Sequence, residues 1–183
     1  MKNLKNLENT GNLISYKDSS NKSLFVRGTG ETNAGIIDIP YQSYISILKT
    51  QSQFFDPYTW TKLTFNSVNQ DNQNEWNSNN NIFVPKVDGI YLCIVNLTFY
   101  TDVEIKSIIE FYLNGNPTGY TSYQDFYDTR GDTSVQVTHK LIDTIALSAN
   151  DELSVYGYHD ASPDLGTYTN NTNKGRFHVF KLG

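Results

Sequence analysis

The stretch NNNIFVPKVDGIYLCIVNLTFY (residues 79–100) decides the fold, because its second half is apolar throughout on only one of its two faces. Side chains alternate along an extended strand, so Tyr91, Cys93, Val95, Leu97 and Phe99 share a wholly apolar face. The opposite face, Ile90, Leu92, Ile94, Asn96, Thr98 and Tyr100, is apolar, then polar, and ends on an aromatic. Nothing in the chain reads as a set of helices to cover that second face. The expectation is therefore a sheet whose second face needs some other cover, a loop or a neighbouring subunit.

Strand signals continue on both sides of this stretch. Before it, Leu63, Phe65 and Ser67 alternate with Lys62, Thr64, Asn66 and Val68, and a polar Asn-rich loop holds Trp76. After it, Val103, Ile105, Ser107, Ile109, Phe111 and Leu113 form an alternating face that stops at Asn114-Gly115, the strongest short hairpin signal. Val135, Val137, His139, Leu141, Asp143, Ile145 and Leu147 form another, and Leu153 and Val155 a further one after Ala149-Asn150-Asp151. In the last strand, Phe177, Val179, Phe180 and Leu182 slip by one position, which predicts a bulge. Many short strands and turn chemistry predict an all-β fold, an antiparallel sandwich or jelly roll, over residues 53–183.

Residues 1–52 differ. They are polar, with short apolar patches at Leu24-Phe25-Val26 and Ile36-Ile37, and Tyr41, Tyr44, Ile45 and Leu48 recur at helical spacing behind Pro40. The expectation is an extended N-terminal attachment arm with one short helix, unable to bury a core alone.

Composition excludes several functions. A net charge of −5 and a pI near 5.1 provide no basic field for phosphates, so nucleic acid is not an expected partner. The longest purely apolar run, Ile90 to Val95, is far too short for membrane insertion, and the N-terminus lacks the apolar segment of a secretory signal. The single cysteine, Cys93, precludes an intramolecular disulfide and lies in an apolar strand with no activating partner nearby, so it reads as a packed thiol.

The order of landmarks is specific. Phe65-Asn66-Ser67-Val68-Asn69, then Trp76, then Phe83-x-Pro85-x-x-x-Gly89-x-Tyr91, then Leu147-x-x-x-Asp151-x-Leu153, then a Phe-containing last strand ending at Gly183, resembles the globular head of complement component one subcomponent q. That family shares its jelly roll with tumour necrosis factor (TNF). The resemblance covers about residues 54–183 and departs from the family pattern at Cys93, Asp88 and Pro85. It implies a homotrimer in which part of one sheet presses on neighbouring subunits, with Ile94, Tyr100 and Phe180 in the trimer interface.

No catalytic set is visible. His139, His159 and His178 lie on separate elements without metal-ligand spacing, and Asp151-Glu152 reads as turn chemistry, so neither a metal nor another cofactor is expected. Asp125, Asp128 and Asp132 do not fit the spacing of a calcium loop, and Arg130-Gly131-Asp132 is a short integrin-type tripeptide of ordinary turn composition. The loops carry aromatics instead. Tyr120, Tyr123, Phe126 and Tyr127 crowd one segment, and Tyr156, Tyr158, His159 and Tyr168 another; such rings either bind sugar or protein or pack between subunits. The ligand-binding candidates are Tyr123, Phe126, Tyr127, Tyr158 and His159.

The chain thus reads as a non-enzymatic trimeric binding module. Its Asn-rich, Cys-poor composition fits a phage virion protein, a head fibre or tail-tip knob whose residues 1–52 dock onto a capsid or tail protein while distal loops bind a host surface glycan or protein. A bacterial spore or cell-surface module is the alternative, and a glycan-cleaving jelly roll is a third reading that lacks its carboxylates.

Overall fold

The computed structural model describes residues 13–17, 23–27, 36–38, 42–101, 105–126, 135–160, 165–167, 169 and 175–182. Its strands, in chain order, are β1 (Leu13–Lys17), β2 (Ser23–Arg27), β3 (Ile36–Asp38), β4 (Tyr44–Lys49), β5 (Gln53–Phe55), β6 (Thr61–Lys62), β7 (Ser67–Asp71) and β8 (Trp76–Asn77). They continue as β9 (Ile82–Phe83), β10 (Gly89–Thr101), β11 (Ile105–Leu113), β12 (Asn116–Phe126), β13 (Val135–Leu147), β14 (Leu153–His159), β15 (Leu165–Thr167) and β16 (Gly175–Lys181). Among the described residues there is no helix, and the described strand pairs are antiparallel.

Two compact units divide between Gln42 and Ser43. The first holds a three-stranded sheet, β1-β2-β3, in which both apolar patches of the arm lie on strands: Val26 pairs with Ile14 and with Ile37. The second unit is the sandwich. The helix expected around Tyr44 is absent, because Tyr44–Lys49 is strand β4, inserted between β16 and β7. Ile45 and Ile47 are buried and Tyr44 and Leu48 are half-buried, a period of two that the helical reading of Tyr44, Ile45 and Leu48 overlooked. The sandwich accordingly begins ahead of the 52/53 boundary expected from sequence.

The seven-stranded sheet runs β13-β10-β16-β4-β7, with β15 and then β5 added beside the far end of β10. The six-stranded sheet runs β12-β11-β14-β9-β8, with β6 also on β14. The quoted stretch supplies the central strand of the first sheet. Tyr91, Cys93, Val95, Leu97 and Phe99 are at most 1% exposed, while Leu92, Ile94, Asn96 and Thr98 stay half-buried on the other face.

Between the sheets the core is aromatic at its centre. Phe177 packs on Phe65, Trp76 and Phe111 with ring centroids 5.6, 5.9 and 6.2 Å apart, and Phe99 meets Phe55 edge-on at 5.8 Å. Such offset and edge-on pairs add to the burial of ring area. Cys93 is sealed in this core, and burial pushes its thiol well above the ordinary range. Ile109, Phe111, Leu141, Ile145, Leu147, Leu153 and Val155 complete it, each on the face expected from alternation.

Turn chemistry follows the sequence closely at one hairpin. Asn114 and Gly115 both have positive φ, 52° and 78°, the pair that a two-residue turn between twisted strands needs. Asn114 also ties this turn to the next connection, donating from Nδ2 to Asp151 at 2.8 Å and accepting the Glu152 N–H at 2.8 Å. The last strand does not bulge: β16 keeps one register against both β10 and β4. Phe177 and Val179 point inward, and the apparent slip arises because Phe180, on the opposite face, is also apolar.

Lys49 is a buried cation at the end of β4. Its Nζ donates to Gln53 Oε1 at 3.0 Å, to the Thr64 carbonyl at 2.8 Å and to Thr64 Oγ1 at 3.2 Å, so each of its three hydrogens has an acceptor. No carboxylate among the described residues offsets the desolvation, and burial lowers the amine to about 8. The same Gln53 donates from Nε2 to the Lys62 carbonyl at 2.9 Å, fixing the segment that crosses from one sheet to the other.

Candidate functional site

The sandwich presents two outer faces, and each carries part of what the sequence singled out. On the seven-stranded sheet the outward residues form rows across strands. One row is Tyr44, Phe180, Leu92 and Thr144; the next is Ser46, His178, Ile94 and Ile142. A third row, Leu48, Arg176, Asn96 and Lys140, is largely polar. The sheet is thus apolar over one half of its outer face, where Ile142 is 59% and Ile90 46% exposed.

Aromatic stacking holds this half together. Tyr44 lies 4.5 Å from Phe180, and His178 stacks beside them, 6.2 Å from Phe180. Burial, reinforced by nearby Arg176, lowers the basicity of His178, and its Nδ1 is buried without a hydrogen-bond partner among the described residues. An orphaned nitrogen costs free energy unless something supplies a donor or acceptor. Of the three expected interface residues, Ile94 and Phe180 belong to this patch. Tyr100 lies on the same face at the far end of β10, beside Gly166 and Phe54, separated from the patch by Asn96 and Thr98.

The six-stranded sheet has the second face. Along β11 and β14 the inward residues are Ser107, Ile109, Phe111, Val155, Gly157 and His159, and the outward ones are Ile108, Glu110, Tyr112, Tyr156 and Tyr158. Tyr123 on β12 pairs with Ile108, which pairs with Tyr158. Two of the five expected ligand-binding residues, Tyr123 and Tyr158, therefore share one row of one sheet face, on strands and not on loops. Phe126 ends β12 and its side chain lies outside the described residues, as do all of Tyr127, Tyr168 and Arg130-Gly131-Asp132.

His159 does not join that surface. It is fully buried, packs at 4.9 Å on Phe55 and donates from Nε2 to the Phe55 carbonyl at 2.9 Å. It falls on the inward phase of β14, one residue past Tyr158, which is why adjacency in sequence misplaced it.

Sequence reading named Tyr156 but missed Trp60, Tyr112 and Lys62, which complete the aromatic face. Trp60, on the connection into β6, is 36% exposed and lies 5.4 Å from Tyr158 and 6.1 Å from Tyr112. Tyr112 stacks on Tyr156 at 3.9 Å and 22°, and Lys62 Nζ stands 5.8 Å from the Tyr156 ring centre. The available signal was the period-two placement of Tyr112, Tyr156 and Tyr158 opposite core residues.

A serine–histidine pair lies between the sheets. Ser107 Oγ is 2.8 Å from His139 Nε2, and His139 Nδ1 is 3.0 Å from the Ser122 carbonyl. A carbonyl only accepts, so Nδ1 carries the hydrogen and Nε2 accepts from Ser107. Both side chains are fully buried, and burial lowers the imidazole to about 4, so this pair is a core contact that no substrate reaches. Among the described residues, no three His, Cys, Asp or Glu side chains gather at metal-binding distance.

No protein-family model matches the chain, and no curated protein matches its sequence. Solved structures do. The globular domain of zebrafish complement 1qA superposes with a TM-score of 0.55 at 13% identity, over 77% of this chain and 98% of that one. Eiger TNF from S. frugiperda gives 0.55 at 13% identity, over 78% and 93%. Murine APRIL gives 0.56 at 12% identity, over 77% and 99%. At such identities the likeness speaks for architecture alone, and the architecture is that of the C1q/TNF-like jelly roll.

Proposed function

We propose that this chain is a non-enzymatic homotrimeric recognition module on the surface of a phage particle, a head fibre or tail-tip knob. The observation that carries the trimer is the apolar half of the seven-stranded sheet's outer face, where Tyr44, Leu92, Ile94, Ile142, His178 and Phe180 lie together with no covering element among the described residues. A contiguous apolar patch beside an orphaned imidazole nitrogen suits a face that closes on copies of itself. The sealed Ser107–His139 pair supports the non-enzymatic reading.

Attachment to the particle is assigned to the N-terminal unit, ending at Gln42, acting on a capsid or tail protein. The support is its strand pairing. A three-stranded sheet with Ile14, Val26 and Ile37 in register is small for independent stability and would gain from a partner surface. Three tethered copies would turn weak single contacts into durable attachment. Recognition of a host surface glycan or protein is assigned to the aromatic face bearing Tyr123 and Tyr158. A bacterial spore or cell-surface module would use the same three parts, and the genes beside this one distinguish the two.

The test is a truncation beginning at Ser43. It is expected to remain a folded trimer that no longer joins the particle when supplied during assembly. Incorporation of the truncated form at the level of the full chain would contradict the docking assignment.

A further inference from the structure

The outer face of the six-stranded sheet is built unlike an ordinary solvated face. Trp60, Tyr112, Tyr156, Tyr158 and Tyr123 occupy positions where short polar side chains would suffice, and Tyr123 is 49% exposed. The rings brace one another: Trp60 on Tyr158 at 5.4 Å, Tyr112 on Tyr156 at 3.9 Å. Rings fixed in this way lose little freedom on binding.

The segment leading into Trp60 is itself set at a conformational cost. Tyr58 adopts a left-handed φ of 58°, uncommon for an aromatic residue, and its N–H donates to the His159 carbonyl at 2.7 Å.

Charged groups are interleaved with the rings. One row reads Glu110, Tyr156, Lys62 across β11, β14 and β6. Glu110 is buried and its Oε1 accepts the Gly119 N–H at 2.8 Å. Lys62, on the other side of the Tyr156 ring, forms no ion pair among the described residues, so its ammonium is the charge this row offers to a ligand.

We infer that this face is a binding site for an acidic saccharide, whose sugar rings stack on Trp60 and Tyr158 while a carboxylate meets Lys62 beside the Tyr156 ring. The inference rests on the recognition reading above and narrows it. A flat apolar protein surface laid here would strip water from Lys62 and the tyrosine hydroxyls without pairing them, which is costly. A saccharide instead alternates C–H faces with hydroxyls at side-chain spacing, and a uronic or sialic acid adds the anion that complements Lys62.

The test uses the full chain on a printed panel of oligosaccharides bearing uronic or sialic acid, with their carboxyl-reduced counterparts as neutral controls. Binding of acidic members is expected, at least tenfold stronger than of the reduced forms, with quenching of tryptophan fluorescence. Trp60→Ala should weaken that binding at least tenfold. Lys62→Gln, which removes no ring, should erase the preference for acid while leaving the thermal midpoint and any neutral binding in place. No binding across the panel, equal binding of acidic and reduced forms, or retention of the preference in Lys62→Gln would overturn the site. A loss of particle mass by light scattering in either variant would also overturn it, marking the face as a contact between copies. Failure here with the wild-type chain still trimeric and still joining the particle leaves the module reading standing, whereas a monomeric wild type would fail that reading instead.

Discussion

His139 shows what a single residue does in this core. It stands between Ser107 and Ser122, edge-on to Phe99 at 5.1 Å, and is held neutral by burial with its imidazole lowered to about 4. The unfolded chain takes up a proton as pH falls through the ordinary histidine range, near 6.5, while the folded chain resists until about 4. The stability that His139 contributes is therefore complete above pH 6.5 and is lost progressively toward pH 4, by about 3 kcal/mol at most. Thermal melts across that window should fall steeply for the wild type and less steeply for His139→Gln. Parallel slopes would show that His139 is not the group responsible. Lys49 runs the same way at higher pH, since burial lowers it to about 8 and stability from this group rises as pH passes from 8 toward 10.5.

At the scale of elements, β10 and β4 mark what could be read from sequence and what could not. The long alternation in Gly89–Thr101 made both faces of β10 readable because its period is unbroken and its inward residues from Tyr91 to Phe99 are all apolar. The hairpin at Asn114-Gly115 was equally legible, since only a few residue types accept its backbone. β4 was not. Its outward Tyr44 and Leu48 and inward Ile45 and Ile47 are all apolar, so a short two-faced strand mimics one face of a helix. The same ambiguity made β16 look bulged. The aromatic face was half legible: Tyr123 and Tyr158 stood out as aromatics, but Trp60 and Lys62 reach it only through the long-range pairing of β6 with β14. Because β4 is hydrogen-bonded to β16 and β7, a truncation starting at Gln53 should fail to give cooperative melting, whereas one starting at Ser43 should melt as a single transition. Equal melting curves for the two would show that β4 is dispensable to the sandwich.

For the whole molecule, we propose that one sheet face seals a second set of apolar residues against copies of the chain. On that proposal the two outer faces would divide the work, Ile94, Phe180 and Ile142 serving assembly and Trp60, Tyr158 and Lys62 recognition. Placing a carboxylate on the assembly face should separate the copies without disturbing the core, since Ile142 is exposed in the single chain. Burying an unpaired carboxylate in an interface typically costs several kcal/mol. The most direct measurement is the mass of the purified particle at micromolar concentration, by multi-angle light scattering, for the wild type and for Ile142→Glu. Assembly through this face gives three chains of 20.8 kDa for the wild type and a folded single chain for the variant; a wild type that is a soluble single chain, or a variant that keeps the wild-type mass, would rule such assembly out.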